Sequence, residues 1–197
     1  MSGWPGPAAL AVSRLLTGNI VRLVVPGPAH VGYIADLLTR QDLPSRWLGD
    51  ALGGDPRRLA VALRGLPAVF VVERRATSDP VGLVGCYDLD LENGNVWLGV
   101  VPDARRAEPE LVLHGTLLAT QYAFATWNLR KVYFKVAEGT ALAPMDVVLR
   151  LAGVEGRLRQ HLYHRGRFLD VAILAVSHPA WEALATPVLD AIQDLGD

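Results

Sequence analysis

Three strand-like segments separated only by short turns constrain the fold of this chain more than any other feature. They lie at residues 67–75, 81–91 and 96–101 and are rich in β-branched and aromatic residues. The sequences TSDP and ENGN that separate them are typical of tight turns. Because strands joined by tight turns pair antiparallel, the sequence predicts a three-stranded meander.

Helical patterns flank the meander on both sides along the chain. Apolar residues recur at helical spacing in 27–43 and 52–66 before it, and in 109–127 after it. A further helix is predicted within 140–154. A terminal helix is predicted to follow Ser177, which is a suitable N-cap residue.

Additional strands complete the predicted order of elements. Residues 19–25 and 131–138 read as strands, and HRGR at 164–167 reads as the turn of a terminal hairpin. The resulting order is β α α β β β α β α β β α. It predicts the α+β class, with a central mixed, mostly antiparallel twisted sheet flanked by helices and an extra C-terminal helix.

The length of 197 residues favours one domain with a sizeable core. We expect this domain to span residues 19–181. Residues 1–18 would then form an N-terminal extension, and residues 182–197 a C-terminal helical extension.

Charge and cysteine content exclude several classes of protein. The formal net charge is −1 at pH 7, whereas broad nucleic-acid binding needs a basic face. A single cysteine, Cys86, excludes an intramolecular disulfide and a Cys-rich zinc site, and no metal is predicted.

The chain starts without a basic segment, and no apolar run reaches about 18 residues. We therefore expect a cytoplasmic protein that does not enter a membrane.

Three stretches resemble one known family. Residues 80–100 match its second hairpin, 120–136 its helix end and fifth strand, and 151–176 its terminal hairpin. In these stretches the chain resembles the GNAT superfamily of acetyl-CoA-dependent N-acetyltransferases, and most of all the branch that acetylates ribosomal-protein alanines. The resemblance implies transfer of an acetyl or other acyl group from acyl-CoA to an amine of a small molecule or peptide.

The same resemblance implies a donor site. Acyl-CoA would contact the backbone of the fourth strand at Leu98, Gly99 and Val100, where an amide N–H would also hold the reaction's oxyanion. Arg105 and Arg106 of the following loop would contact its phosphates. A solvated pair of loop arginines is the structural alternative.

The loop before the long helix departs from the family pattern. Relatives cradle the CoA pyrophosphate with (R/Q)-x-x-G-x-G/A, whereas this chain has RRAEPELVLHG. Neither glycine is present, and Pro109 has no backbone N–H. Glu108 and Glu110 add negative charge at the helix N-terminus where the ligand's phosphates would lie.

Three more family positions differ. Trp97 stands where many relatives have a glutamate base, Thr140 where they have asparagine, and residues 147–149 where they have a tyrosine acid. These departures favour an alternative function. In it, the fold persists without CoA-dependent acetyl transfer, and the protein binds another ligand or partner or catalyses a different reaction in the same cleft.

Acceptor-side residues are predicted from the run CYDLD. Strict alternation would place Cys86, Asp88 and Asp90 on one sheet face, and Tyr87 and Leu89 on the other. We expect Cys86 and Asp90 to bind the substrate and Asp88 to act in general acid–base catalysis. An exposed polar face of a hairpin is the structural alternative.

Glu138 and two aromatic residues complete the predicted site. Glu138, at the end of the fifth strand, could replace the missing base. Trp97 and Tyr133 could wall an aromatic substrate pocket, although aromatic residues in strands also serve as core. The terminal helix, with Trp181 on its apolar face, could form a homodimer contact.

Overall fold

The computed structural model describes residues 15–39, 61–106, 108–139, 152–183 and 187. The predicted helix within 140–154 lies outside these ranges, apart from its last residues. Most of the helix predicted at 52–66 is also outside them, and its described end at 61–64 is helical.

The described strands form one seven-stranded sheet. Its strand order is β1-β2-β3-β4-β5-β7-β6. All neighbouring strands pair antiparallel except β4 and β5, which are parallel. The strands are β1 (Val21–Val24), β2 (Ala68–Arg74), β3 (Pro80–Asp90), β4 (Asn95–Pro102), β5 (Lys131–Ala137), β6 (Gly153–His164) and β7 (Arg167–Ser177). The predicted meander and the predicted terminal hairpin are both confirmed.

Helices cover the two faces of this sheet. A 3-10 turn at Pro28–His30 leads into α1 (Val31–Thr39), and α2 (Pro109–Thr126) makes the crossover from β4 to β5. The start of α2 at Pro109 is as predicted, since proline tolerates the first helical position where no N–H bond is needed. No described helix is long and apolar enough to cross a membrane.

The larger core lies between α2 and the sheet. It includes fully or nearly fully buried Phe134, Leu98 and Leu118. Gly115 lets α2 approach the sheet closely, because a Cβ at this position would lie 2.9 Å from each Cγ of Val72. Deep burial of this interface fixes α2 relative to β4, and therefore fixes the start of α2 relative to the end of β4.

A second core lies on the opposite face of the sheet. It joins Ile34 of α1 and the helical end at 61–64 to alternate residues of β2, β3 and β4, such as Leu83 and Val101. The sheet is thus covered on both faces over β2 to β4.

The β6–β7 hairpin is covered much less. Its turn residues Arg165 and Gly166 have φ of +49° and +82°, the pattern of a two-residue type I′ turn. Along β6, every described residue is exposed or only half-buried.

The last described residues of the chain pack against α2. Ser177 caps the terminal helical segment through an N–H···O bond of 3.3 Å from Ala180, as predicted. Trp181 is buried, and its Nε1–H donates to Gln121 Oε1 of α2 at 2.8 Å. Trp181 therefore packs within its own chain, and the homodimer stays a prediction.

Candidate functional site

The parallel strands β4 and β5 separate along their length and form a wedge. They pair only at Asn95–Lys131, Val96–Val132 and Trp97–Tyr133, although both strands continue to Pro102 and Ala137. Paired strands stay about 4.8 Å apart, and this constraint ends at Trp97. We call the Trp97–Tyr133 pair the narrow end of the wedge, and the region of Pro102 and Ala137 the wide end.

The walls of the wedge include the predicted donor-binding strand. Leu98, Gly99 and Val100 follow directly after the last β4–β5 pair and lie along the β4 side. Leu98 and Gly99 are buried, whereas Val100 is half-buried against the α2 core. The structure thus brings these three residues to the cleft, and their contact with a donor stays a prediction.

A row of three aromatic rings crosses the narrow end on the face that carries α1. Tyr87 and Trp97 are stacked with ring centroids 6.3 Å apart, and Trp97 and Tyr133 with centroids 5.0 Å apart. Lys135 places its Nζ 4.7 Å from the Trp97 centroid, a cation–π contact. Trp97 and Tyr133 are therefore adjacent, as the predicted aromatic pocket requires, and Tyr87 joins them.

Tyr133 is held by an ionic neighbour. Its hydroxyl donates to Glu155 Oε2 at 3.1 Å, and the other oxygen of Glu155 pairs with Lys131. The Lys131 ammonium, and secondarily the Tyr133 hydroxyl, hold the pKa of the Glu155 carboxyl below its usual range. These contacts fix the orientation of the Tyr133 ring.

The predicted alternation of CYDLD is wrong, because β3 carries a bulge. Tyr87 pairs with Trp97, whereas Asp90 pairs with Asn95, so Asp88 and Leu89 together oppose the single residue Val96. Asp88 occupies the left-handed region at φ +48°. The extra residue reverses the later side chains, so Asp90 shares a face with Tyr87 rather than with Cys86.

Cys86 is part of the core and not of the acceptor surface. Its side chain is 1% exposed in the α2 core, and burial raises the pKa of the thiol to about 12. A thiol buried in this way neither reaches a ligand nor forms a thiolate at neutral pH. The predicted substrate contact of Cys86 is therefore not supported by its position.

Asp90 serves the turn between β3 and β4. Its two oxygens accept bonds of 2.8 Å from the backbone N–H and the side-chain amide of Asn93. These bonds lower the pKa of the Asp90 carboxyl. Both carboxylate oxygens of Asp90 thus form hydrogen bonds within the turn. This structural role accounts for an aspartate at position 90 without any contact to a substrate.

Asp88 and Glu138 lie at opposite ends of the wedge. Asp88 is exposed on the bulge, across from Val96 and one position from the narrow end. Glu138 follows Ala137 at the wide end, and its N–H donates to Asp170 O at 2.8 Å. Glu138 comes five positions after Tyr133, which corresponds to about 16 Å at 3.3 Å per residue. Only Asp88 is close to the narrow end.

The loop at the wide end is closed around a buried carboxylate. Asp103 is 0% exposed, and its Oδ1 accepts the backbone N–H of Arg105 at 3.1 Å. The N–H of Arg106 bonds to the backbone oxygen of Asp103 at 2.9 Å. Two amides that could have faced a phosphate are thus used inside the loop.

The first turn of α2 is also unsuitable for a phosphate. Pro109 has no N–H to offer, and Glu108 and Glu110 are exposed carboxylates beside it. Arg74 neutralises part of this charge through a 3.2 Å ion pair with Glu108. The loop and helix start therefore do not fit the pyrophosphate of CoA.

The two predicted phosphate-binding arginines differ in their surroundings. Arg106 lies 3.7 Å from Asp103 Oδ2 through its Nε and places its guanidinium 5.6 Å from the ring centroid of Tyr33. It is therefore engaged within the fold. Arg105 is exposed, and its side chain has no ion pair among the residues that the structure describes.

Sequence reasoning missed Asp103 and Tyr87. An aspartate two residues before an N–H that it accepts is a common loop motif, and this spacing was the available signal for Asp103. Tyr87 was assigned to the face opposite the predicted acceptor residues, and the bulge makes that face the relevant one. Burial and the charge of Asp88 raise the pKa of Tyr87 to about 12, so its hydroxyl stays protonated.

Within the described ranges, no group of three or more His, Cys, Asp or Glu side chains is placed to hold a metal ion.

Known structures share this architecture. A spermidine N-acetyltransferase from Vibrio cholerae, in complex with CoA and spermine, matches 82% of this chain and 98% of its own, with 18% identity and a TM-score of 0.71. A GCN5-related N-acetyltransferase from Brucella melitensis matches 87% of this chain and 81% of its own, with 20% identity and a TM-score of 0.66. Neither a family model nor a curated protein matches the sequence.

At these identities the likeness establishes the fold. The chain therefore has the fold of the GCN5-related N-acetyltransferases, as its resemblance to the GNAT superfamily predicted. The narrower placement in the ribosomal-protein-alanine branch stays a prediction.

Proposed function

We propose that the protein transfers an acyl group from a thioester donor, held in the wedge, to an amine of a small molecule or peptide. The observation that carries this proposal is the end of the β4–β5 ladder at Trp97–Tyr133 while both strands continue. From the narrow to the wide end the wedge runs about 16 Å along β4 and about 13 Å along β5 at 3.3 Å per residue, a length suited to an extended pantetheine arm. The shared fold with N-acetyltransferases supports the same reaction class.

The reacting carbonyl would lie at the narrow end. There the backbone of Leu98 to Val100 borders the wedge, and an amide N–H pointing into it would stabilise the oxyanion of the tetrahedral intermediate. The aromatic row at Tyr87, Trp97 and Tyr133 provides the adjoining surface for the acceptor. Lys135 of this chain lies over Trp97 in a cation–π contact, and this contact supports the proposal that an ammonium group of the acceptor binds the same row of rings.

In the proposed reaction, Asp88 and the leaving group take up the two protons of the amine. The protonated amine first loses one proton to the Asp88 carboxylate. Its nitrogen then forms a bond to the thioester carbonyl carbon, and the C–S bond breaks. The departing thiolate takes up the second proton released by the nitrogen, which leaves a neutral amide. The bulge places Asp88 in the left-handed region at φ +48°, on an exposed position beside the narrow end.

The test is direct detection of acyl transfer. Purified protein is incubated with S-acetylpantetheine or acetyl-CoA and a panel of amines that includes spermidine, simple alkylamines and a peptide with a free N-terminus. We expect a mass increase of one acetyl group on at least one amine, and a strong loss of this product with Asp88→Asn. Arg64→Gln, an exposed change on the α1 face over β2 to β4, is the matched control. Absence of product from both donors with every amine overturns the proposal.

A second candidate function rests on the wide end. The closed Asp103 loop and the acids of α2 favour a protein that keeps the fold without CoA and binds another ligand or partner. The same assay separates the two. Transfer from S-acetylpantetheine supports an acyltransferase, whereas no transfer, together with no calorimetric binding of CoA or pantetheine, supports the second candidate.

A further inference from the structure

We propose that Lys135 is itself an acyl acceptor, and that a thioester donor bound in the wedge transfers its acyl group to the Nζ of this lysine. Lys135 is then a modification site of the protein, whereas Lys131 on the same strand is not. This inference rests on the proposed function, because the acyl group comes from the donor that the wedge holds.

Lysine is rare in this chain. Among its 19 lysine and arginine residues only two are lysines, Lys131 and Lys135. The amine of lysine can lose its proton and attack a thioester, whereas the guanidinium of arginine stays protonated in proteins. Both lysines belong to β5 and make cation–π contacts with the aromatic row, Lys131 at 5.8 Å from the Tyr133 centroid and Lys135 at 4.7 Å from the Trp97 centroid. The lysine amines of the chain are thus concentrated at the narrow end.

The side chain of Lys135 crosses the wedge. Lys135 comes two positions after Tyr133, the last residue of β5 that pairs with β4, so its backbone lies on the separated part of the strand. Its Nζ nevertheless lies over the ring of Trp97, which belongs to β4. The side chain therefore extends from one wall of the wedge to the other, directly beside the narrow end.

The β4 wall next to this ammonium carries no side chain. Trp97, Gly99 and Val101 alternate onto the face that carries α1, where Val101 belongs to the second core and Gly99 has no side chain. The donor's carbonyl would lie along the backbone of Leu98–Val100 in the proposed reaction. No β4 side chain on this face separates that backbone from the ammonium of Lys135.

The two lysines differ in the groups that bind them. Lys131 forms an ion pair with Glu155, and the hydrogen bond to this carboxylate raises the pKa of the Lys131 ammonium. Lys135 is exposed and has no ion pair among the residues that the structure describes. Its cation–π contact is weak at an exposed position. Because only a neutral amine is a nucleophile, Glu155 holds Lys131 in its unreactive form, and no carboxylate does so at Lys135.

The transfer needs no further reactant. The Lys135 ammonium releases one proton to water, and Nζ then forms a bond to the thioester carbonyl carbon. The C–S bond breaks, and the departing thiolate takes up the second proton released by the nitrogen. The products are an uncharged acyl-lysine and a free thiol. Since the acyl-lysine has no charge, its cation–π contact with Trp97 is lost, and the row no longer holds the internal cation that competes with an external ammonium.

The test is peptide mass spectrometry after incubation with S-acetylpantetheine, with no amine added. We expect Lys135 to be acetylated about tenfold or more faster than Lys131, because it lies beside the bound donor and lacks an ion pair. The rate should saturate with donor and should not depend on protein concentration, as a transfer within one chain requires. Pantetheine, which carries no acyl group, should suppress the reaction by occupying the wedge.

The second lysine provides a matched control. Lys135→Arg keeps the positive charge over Trp97 but removes the amine that accepts the acyl group. Lys131→Arg makes the same change at the other lysine and keeps a cation for Glu155. Acetylation of β5 should disappear in K135R and persist in K131R, and thermal unfolding verifies that both variants are folded. In protein unfolded by urea, the preference for Lys135 should be lost.

The outcomes separate this inference from the proposed function. Equal acetylation of both lysines in the folded protein, or acetylation of Lys135 that pantetheine does not suppress, is ordinary chemical acetylation and overturns the inference. Transfer to an added amine while Lys135 stays unmodified by the same donor also overturns it, and leaves the proposed function standing. Absence of both reactions overturns both proposals. Donor-saturable acetylation of Lys135 without product on any added amine supports the inference and overturns the transfer to a separate acceptor.

Discussion

The narrow and wide ends of the wedge are built by different kinds of interaction. At the narrow end, three residue pairs and stacked rings hold β4 against β5, and the ring centroids of Trp97 and Tyr133 are only 5.0 Å apart. At the wide end, the strands are no longer paired and charged groups dominate. There Asp103, buried in the loop, takes the N–H that an external anion would need.

This difference shows that the cleft and its anion chemistry are independent. The wedge follows from how far β4 and β5 remain paired, and packing of α2 on the sheet sets the position of both strands. The anion site depends on a few loop residues that contribute little to this packing. A chain can therefore keep the cleft of a fold while its phosphate-binding loop is closed.

The largest expected effect comes from breaking the narrow end. Trp97→Ala removes the central ring of the row and its contacts to Tyr87 and Tyr133. We expect a loss of about 3 kcal/mol in the free energy of unfolding, measured by urea denaturation. Trp97→Phe, which keeps a ring, should lose clearly less. A loss below about 0.5 kcal/mol for the alanine variant would show that the narrow end is not held by aromatic packing.

The next effect tests the closed loop at the wide end. Asp103→Ala leaves the Arg105 N–H without its acceptor and Arg106 without its carboxylate. We expect the free energy of unfolding to fall by about 1 kcal/mol, because a part-buried hydrogen bond of the loop is lost. Asp103→Asn keeps a side-chain oxygen that can accept the N–H, so it should retain part of the stability. Equal losses for the two variants would contradict this account of the loop.

A smaller effect is expected when the wide end is made more suitable for the phosphates of CoA. The double variant Glu108→Gln/Glu110→Gln removes two carboxylates from the first turn of α2. We expect the Kd for CoA to improve about threefold to thirtyfold, taking each of the two removed charges at the helix N-terminus to contribute about 0.3–1 kcal/mol. Stability should decrease slightly, because the acids favour the helix and Glu108 pairs with Arg74. Glu182→Gln, an exposed change on the terminal segment, is the control. Unchanged CoA affinity would show that these acids do not oppose the ligand.

The smallest effect concerns pH and the buried side of α2. His114 is 8% exposed and its Nδ1 has no hydrogen-bond partner in the described part of the chain, and burial lowers the pKa of its imidazole. As the pH falls below the unfolded value of about 6.5, the unfolded chain takes up a proton that the folded chain does not. Stability should therefore decrease with falling pH from about 6.5 until the lower folded pKa is reached.

His114→Leu should reduce this acid sensitivity. Urea denaturation at pH 8 and at several values below pH 6.5 gives the dependence for both chains. At pH 8 the imidazole of His114 is neutral in the folded and in the unfolded chain. The difference in stability between the two proteins at this pH therefore contains no contribution from protonation. An unchanged pH dependence in the variant would exclude His114 as its source.

Much of the fold could be predicted because it depends on local patterns. β-Branched runs and short turns predicted the meander, and Pro109 predicted the start of α2, which begins at that residue. The face of Asp90 could not be predicted in this way. Alternation assumes one residue opposite one residue, and the β3 bulge at Asp88 adds one.

The candidate site was predicted less completely for a physical reason. The position of Leu98 to Val100 beside the wedge depends on strand pairing, which the family resemblance indicated. The burial of Cys86 and the role of Asp103 depend on which side chains the tertiary structure encloses. Neither property follows from residue type or spacing.

The central claim is that a thioester donor lies between β4 and β5. Hydrogen–deuterium exchange of the amides, with and without S-acetylpantetheine, tests it most directly because it needs no acceptor and no phosphate contact. The account predicts slower exchange in Leu98–Val100 and in residues 134–136, with little change in β1 and β2. Protection that is absent from both wedge segments at saturating ligand, or that appears only elsewhere in the sheet, would contradict it.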